Sequence, residues 1–98
     1  MTVSLHALPF DQTAPGFYFQ NFEDYRVLAG KAVNAYGDHV DEFEIQFIDG
    51  EQIDAALAIA FSLNQNSVGR FLEAVAEWDE DQKIGFIISF LAYKPAKK

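Results

Sequence analysis

Apolar and polar positions alternate most clearly over residues 42–49, where Phe43, Ile45 and Phe47 are separated by Glu44 and Gln46. A period of two predicts a strand with one face turned to a core and the other mostly polar. Phe17-Tyr18-Phe19-Gln20 is short, aromatic and extended in character, and predicts an earlier strand. Between them, Phe22, Tyr25, Leu28, Ala29, Ala32, Val33 and Tyr36 recur at helical spacing. That stripe predicts a helix of about four turns, capped by Asn21 and closed by Gly37. Gly30 inside it calls for a close packing contact, because glycine costs about 1 kcal/mol there relative to alanine.

Three more helices follow from the pattern. Ile53, Ala56, Leu57, Ala60 and Phe61 form one apolar face, with Asp49 and Gln52 placed as a capping box. Val68, Phe71, Leu72, Val75 and Trp78 form a second face after a polar break, with Asn64 or Asn66 as cap. Asp79 and Gln82 repeat the capping box before Ile84, Ile87, Ile88 and Leu91, with Phe86 and Phe90 widening that face. Pro9, Pro15 and Gly16 interrupt the first sixteen residues, so residues 1–15 read as an irregular lead-in with a short extended piece at residues 2–5. Residues 94–98 read as a basic tail. The expected fold class is α+β: a small β-sheet with a covering helix, followed by a helical unit of about three helices, in a single domain spanning residues 1–98.

Charge changes this picture. Residues 32–82 hold twelve carboxylates and one base, Arg70, a local formal charge of −11. The remainder has three acids and six bases, +3, and the whole chain carries −8. Fifteen per cent aromatic content separates the chain from acidic disordered sequences. With no cysteine, disulfides and thiolate chemistry are excluded. The start lacks a basic region and a long apolar run, so no signal peptide or membrane span is expected and the cytoplasm is the default location. The net charge argues against direct contact with nucleic acid or an anionic membrane and favours a basic partner.

Candidate chemistry is sparse. Asp38-His39-Val40-Asp41 could offer metal ligands, but it reads as a polar surface turn, since neither His6 nor His39 has a second histidine at helical spacing. Asp79-Glu80-Asp81 lacks the alternating ligands and central glycine of a calcium loop and reads as helix capping. No Gly-x-Ser-x-Gly context and no phosphate-binding glycine loop is present. The aromatic run from Phe17 to Tyr25 has no interleaved base and reads as core rather than a base-stacking platform. No enzyme, cofactor or metal is expected. Two readings of the acids remain: solubility by excess charge, or a surface that imitates the charge of a nucleic acid.

Three stretches bear on that choice: Gly16-Phe17-Tyr18-Phe19-Gln20-Asn21-Phe22, Glu42-Phe43-Glu44-Ile45-Gln46-Phe47-Ile48-Asp49-Gly50, and Glu73-Ala74-Val75-Ala76-Glu77-Trp78-Asp79-Glu80-Asp81-Gln82-Lys83. In order and approximate spacing they resemble the ArdA family of antirestriction proteins, over roughly residues 16–85. The resemblance implies an acidic, elongated DNA mimic of mobile genetic elements. Such a protein binds type I restriction–modification enzymes in their DNA groove, without catalysis and without a cofactor. It further implies a shortened member, because typical family chains continue into a further domain that contributes to dimerisation. The matching surface is Glu42, Glu44, Asp49, Glu51, Glu73, Glu77, Asp79, Glu80 and Asp81; Asp38, Asp41 and Asp54 join it on the charge argument. The expected partner is a type I restriction–modification enzyme or another basic DNA-binding protein, with a homodimer also admitted. The alternative is an acidic protein–protein interaction module for a different basic protein or regulator.

Overall fold

The structure, a computed structural model, describes residues 3–93. The elements run β1 (Ser4–Pro9), β2 (Phe17–Phe19), α1 (Phe22–Lys31), β3 (Phe43–Asp49), α2 (Gln52–Ala60), α3 (Val68–Glu77) and α4 (Glu80–Tyr93). The fold is α+β: an antiparallel three-stranded sheet in the order β2-β1-β3, one helix between its strands, and three helices after it. The expected tail, residues 94–98, lies outside the described residues.

The central strand is the stretch expected to be irregular. In β1, Leu5, His6 and Ala7 pair with Phe19, Tyr18 and Phe17 on one side, and Leu5 through Pro9 pair with Phe47 through Phe43 on the other. Val3, Leu5, Ala7 and Pro9 are buried, while Ser4, His6 and Leu8 alternate toward the opposite face. Pro9 is compatible with this strand because β2 is only three residues long. At Pro9 the missing N–H falls on the side where β2 has already ended. Gly16 lies so close to β1 that an added Cβ would stand 2.7 Å from the Ala7 carbonyl oxygen.

One face of the sheet carries the core. Tyr25 of α1 packs on Phe17, Phe19 and Phe43, with ring centroids 5.0 to 6.3 Å apart. A second aromatic cluster joins the helices: Phe61 stacks on Phe86 at 4.6 Å and meets Trp78 and Phe71 at 5.9 and 6.1 Å. Phe71, fully buried, also meets Phe47 of β3 edge-on, so the two clusters belong to one core.

The helix α1 is shorter than its apolar stripe predicts. Asn21 does cap it, accepting from the Asp24 N–H at 2.8 Å. It ends at Lys31 because Ala32 is extended and Val33 bridges His39. Asn34 drives the change: its carboxamide oxygen accepts from the N–H groups of Tyr36 and Asp38, giving the backbone an alternative to the helix. Gly37 supplies the left-handed residue of that turn, at φ +82°, rather than of a helix end. Gly30 does not serve close packing, since an added Cβ would meet nothing within 4 Å. The cap of α2 is Glu51, without a side-chain bond, and Asp49 closes β3 instead. Asn64 organises the turn before α3 through the Asn66 and Ser67 N–H groups, and Ser67 takes the N-cap position. The capping box of α4 forms as expected, Asp79 accepting from the Gln82 N–H and Gln82 from the Asp79 N–H.

Candidate acidic interaction surface

Charged groups avoid the core unless paired, and the acids of residues 32–82 follow that rule, eleven by exposure and one by pairing. Asp38, Asp41, Glu42, Glu44, Asp49, Glu51, Glu73, Glu77, Asp79, Glu80 and Asp81 are all exposed. Asp54 is not. It is 2% exposed and accepts from Lys83 Nζ at 2.9 Å, a buried ion pair that ties α2 to α4. Asp54 therefore leaves the expected surface. Its position one turn into α2, on the side of Leu57 and Ala58, places it beneath α4.

Asp38 sits in the turn after α1, held on both sides by Asn34, and the fold distributes the other ten exposed carboxylates into groups. Asp41 and Glu42 stand beside Asp11 and His39 around a small hollow at the start of β3. Glu44 sits on the uncovered face of the sheet. Asp49 and Glu51 flank the turn from β3 into α2. Glu73 and Glu77, one helical turn apart on α3, line a cleft of about 600 Å³ shared with Gln20, Asn21 and Phe22. Asp79, Glu80 and Asp81 crowd the N-terminus of α4, where the helix dipole favours negative charge. Among the described residues the ion pairs are Arg26–Glu23 and Lys83–Asp54, so none of the eleven is neutralised by a neighbour within 4 Å.

Asp11 was not among the expected surface residues, and the structure shows why it matters locally. Its carboxylate accepts from the Thr13 N–H, the Thr13 hydroxyl and Asn34 Nδ2, at 2.8 to 2.9 Å. Those bonds, led by the Thr13 backbone, hold its pKa below the ordinary aspartate value. They also pin the loop after β1 to the turn that precedes β3, which positions Asp41 and Glu42. The only sequence signal was the Asp-x-Thr spacing, a common local turn.

Apolar surface accompanies the charge. Ile84, Ile88 and Leu91 form an exposed row along α4, and Ile59 of α2 is 68% exposed. The uncovered sheet face carries Tyr18 against His6, which in turn bonds Gln46 through Nδ1 at 3.0 Å. Among the described residues, no three His, Asp or Glu side chains converge in a way that could hold a metal ion, and no helix is long and apolar enough to cross a membrane. No family model, no curated protein and no solved structure matches this chain.

Proposed function

We propose that this chain is an ArdA-like, stoichiometric DNA mimic of the cytoplasm that occupies the basic DNA groove of a type I restriction–modification enzyme. The observation that carries this reading is the set of eleven exposed carboxylates, none paired with a base among the described residues. Like charges left unpaired cost stability, and a surface tuned for stability alone would intersperse lysine and arginine.

Magnitudes define what such a mimic replaces. Duplex DNA carries one charge per roughly 1.7 Å of axis, so a net charge of −8 matches about 14 Å of duplex. The molecule itself extends 46 by 37 by 17 Å. One chain therefore substitutes for a short portion of a DNA site rather than its whole length. Binding should draw on the summed field, so single carboxylate-to-amide changes act weakly and grouped changes act together.

The test is displacement of labelled duplex from a type I methyltransferase by the purified chain at low and moderate salt. The expected result is displacement near one equivalent, weakened steeply by salt. Replacing Glu73, Glu77, Asp79, Glu80 and Asp81 together by amides should abolish it, while any one replacement should change it by about twofold or less. A complex insensitive to salt, or no displacement at large excess, would sink the proposal.

A second reading, an acidic interaction module for a different basic protein, is favoured by the exposed row Ile84, Ile88 and Leu91. A pure charge mimic has no use for it. Under that reading one or two substitutions in the row abolish binding, whereas the mimic tolerates them.

A further inference from the structure

Among the described residues β3 is an edge strand, paired to β1 on one side and to no strand on the other. The direction of its outward backbone groups follows from two bonds. The Phe10 N–H donates to the Glu42 carbonyl across β1 and β3, whereas the Phe43 N–H donates outward to Gln65 Oε1 at 2.7 Å. Backbone groups alternate sides along an antiparallel strand. The N–H and C=O groups of Ile45 and Phe47 therefore also point away from β1. Among the described residues no backbone partner meets them there.

The two ends of this edge differ. Gln65 covers the start, accepting from Phe43 and donating to the Asp41 carbonyl at 2.9 Å, as a neighbouring strand would. At the other end the register shifts at Ser4 and Leu5, opposite Phe47 and Asp49. Between them lies an open groove of about 610 Å³ lined by Ile45, Phe47, Ala55, Ile59 and Leu63. Unpaired edges template the addition of another strand, and folded proteins usually block them. Here, among the described residues, the Phe43 end alone is blocked.

We propose that the β3 edge accepts an extended peptide segment as a fourth strand, with apolar residues alternating with lysine or arginine. Unpaired backbone groups call for a backbone. Residues placed opposite Ile45 and Phe47 share their face and turn apolar side chains into the groove toward Ile59. Residues between them fall on the uncovered face beside Glu44. Glu42, Asp49 and Glu51 flank the same edge, and neither β3 nor α2 contains a base. That charge favours a basic segment, and it opposes edge pairing with a second copy that also carries −8. The inference does not depend on the DNA-mimic reading, since it rests on backbone groups and an apolar groove.

The probe is the capped peptide Lys-Val-Lys-Val-Lys-Val-Lys, titrated into the isotope-labelled full chain. The added strand runs antiparallel to β3, as the strands of this sheet do, so the valine N–H groups point at β3 and the same peptide N-methylated at its valines keeps its charge but cannot pair. Saturable binding with slowed exchange of the Ile45 and Phe47 amides is expected, and N-methylation should weaken it about tenfold or more. Ile59→Lys, at an exposed position, should weaken binding about fivefold while leaving the amide spectrum dispersed. Equal affinity for the two peptides would reduce the contact to charge and overturn the proposal, as would no binding at about 1 mM. Slow exchange of those two amides before any peptide is added would also overturn it. Concentration-dependent protection would assign the edge to a second copy, and concentration-independent protection to the chain itself.

Discussion

α3 and α4 are consecutive helices of similar apolar content, and they meet the core in opposite ways. α3 has one apolar side, and it is buried: Val68, Phe71, Leu72 and Ala74 go in, while Arg70, Glu73 and Glu77 stay out. α4 is apolar around most of its circumference. Its inward face is Lys83, Phe86, Ile87 and Phe90, and its exposed face includes Ile84, Ile88 and Leu91. The rotation of α4 is set by two anchors: the Lys83–Asp54 ion pair and the Phe86 stack on Phe61. A helix with a single apolar side needs no such anchor. A helix with two apolar sides has no unique orientation until something specific selects one.

The largest effect separates the two helices directly. Phe71→Ala should cost about 3–5 kcal/mol, because the ring is fully buried between β3 and Phe61 and its loss leaves a cavity. Ile88→Ala should stay within about 0.5 kcal/mol. Thermal unfolding reads the difference, at roughly 4–8 °C per kcal/mol for a domain of this size. Similar losses for both variants would show that the Ile88 face is covered in solution.

Breaking the anchor comes next. Lys83→Met leaves Asp54 buried without its counter-ion and should cost about 3 kcal/mol, the lower end for buried pairs because Lys83 keeps some solvent access. Replacing both, Asp54→Leu with Lys83→Met, should recover most of that loss, since paired charges and apolar groups of like volume are often equivalent in stability. A double-mutant cycle without coupling would exclude the pair as the device that orients α4.

The same contrast explains what the residues disclosed in advance. β3, the α3 face and the Asp79–Gln82 cap were legible because each has one period or one local motif and no competitor. The orientation of α4 was not. Four isoleucine and leucine positions outvote a lysine in any periodicity count, and the Asp54 that reverses the vote lies 29 residues away in sequence. β1 was missed for a related reason. Leu8 interrupts its alternation, and Pro9 reads as a breaker unless β2 is known to stop short of it. The end of α1 depended on Asn34, whose side chain outcompetes a helical stripe that its neighbours satisfy. For the acidic surface, exposure of eleven carboxylates followed from charge alone, whereas the burial of Asp54 required its distant partner.

Asp79→Ala tests the start of α4 at a smaller scale. The variant removes the acceptor for the Gln82 N–H and should cost about 1 kcal/mol. It sharpens the comparison because α3 has no side-chain bond at its Ser67 cap. Ser67→Ala acts instead on the turn through the Asn64 N–H, which donates to its hydroxyl at 3.0 Å. Fraying should therefore follow only the α4 variant, seen as faster amide exchange at residues 80–82 with the α3 amides unchanged.

The smallest effect lies outside both helices and serves as their control. Asp11 has a folded-state pKa below the ordinary value of 3.8, lowered first by the Thr13 N–H and then by Asn34 and the Thr13 hydroxyl. A carboxyl whose pKa falls on folding binds fewer protons in the native state. Its contribution is therefore complete above about pH 4 and disappears as pH drops through the folded-state pKa. Asp11→Asn keeps one acceptor oxygen but removes the ionisation, so its thermal midpoint should lie below that of the parent at neutral pH and converge with it in acid. Because, among the described residues, the Asp11 carboxylate bonds to Thr13 and Asn34 and to neither α3 nor α4, the Phe71–Ile88 difference should survive this change at every pH. Parallel curves with no convergence in acid would mean that the loop is held by Asn34 and Thr13 without help from the charge.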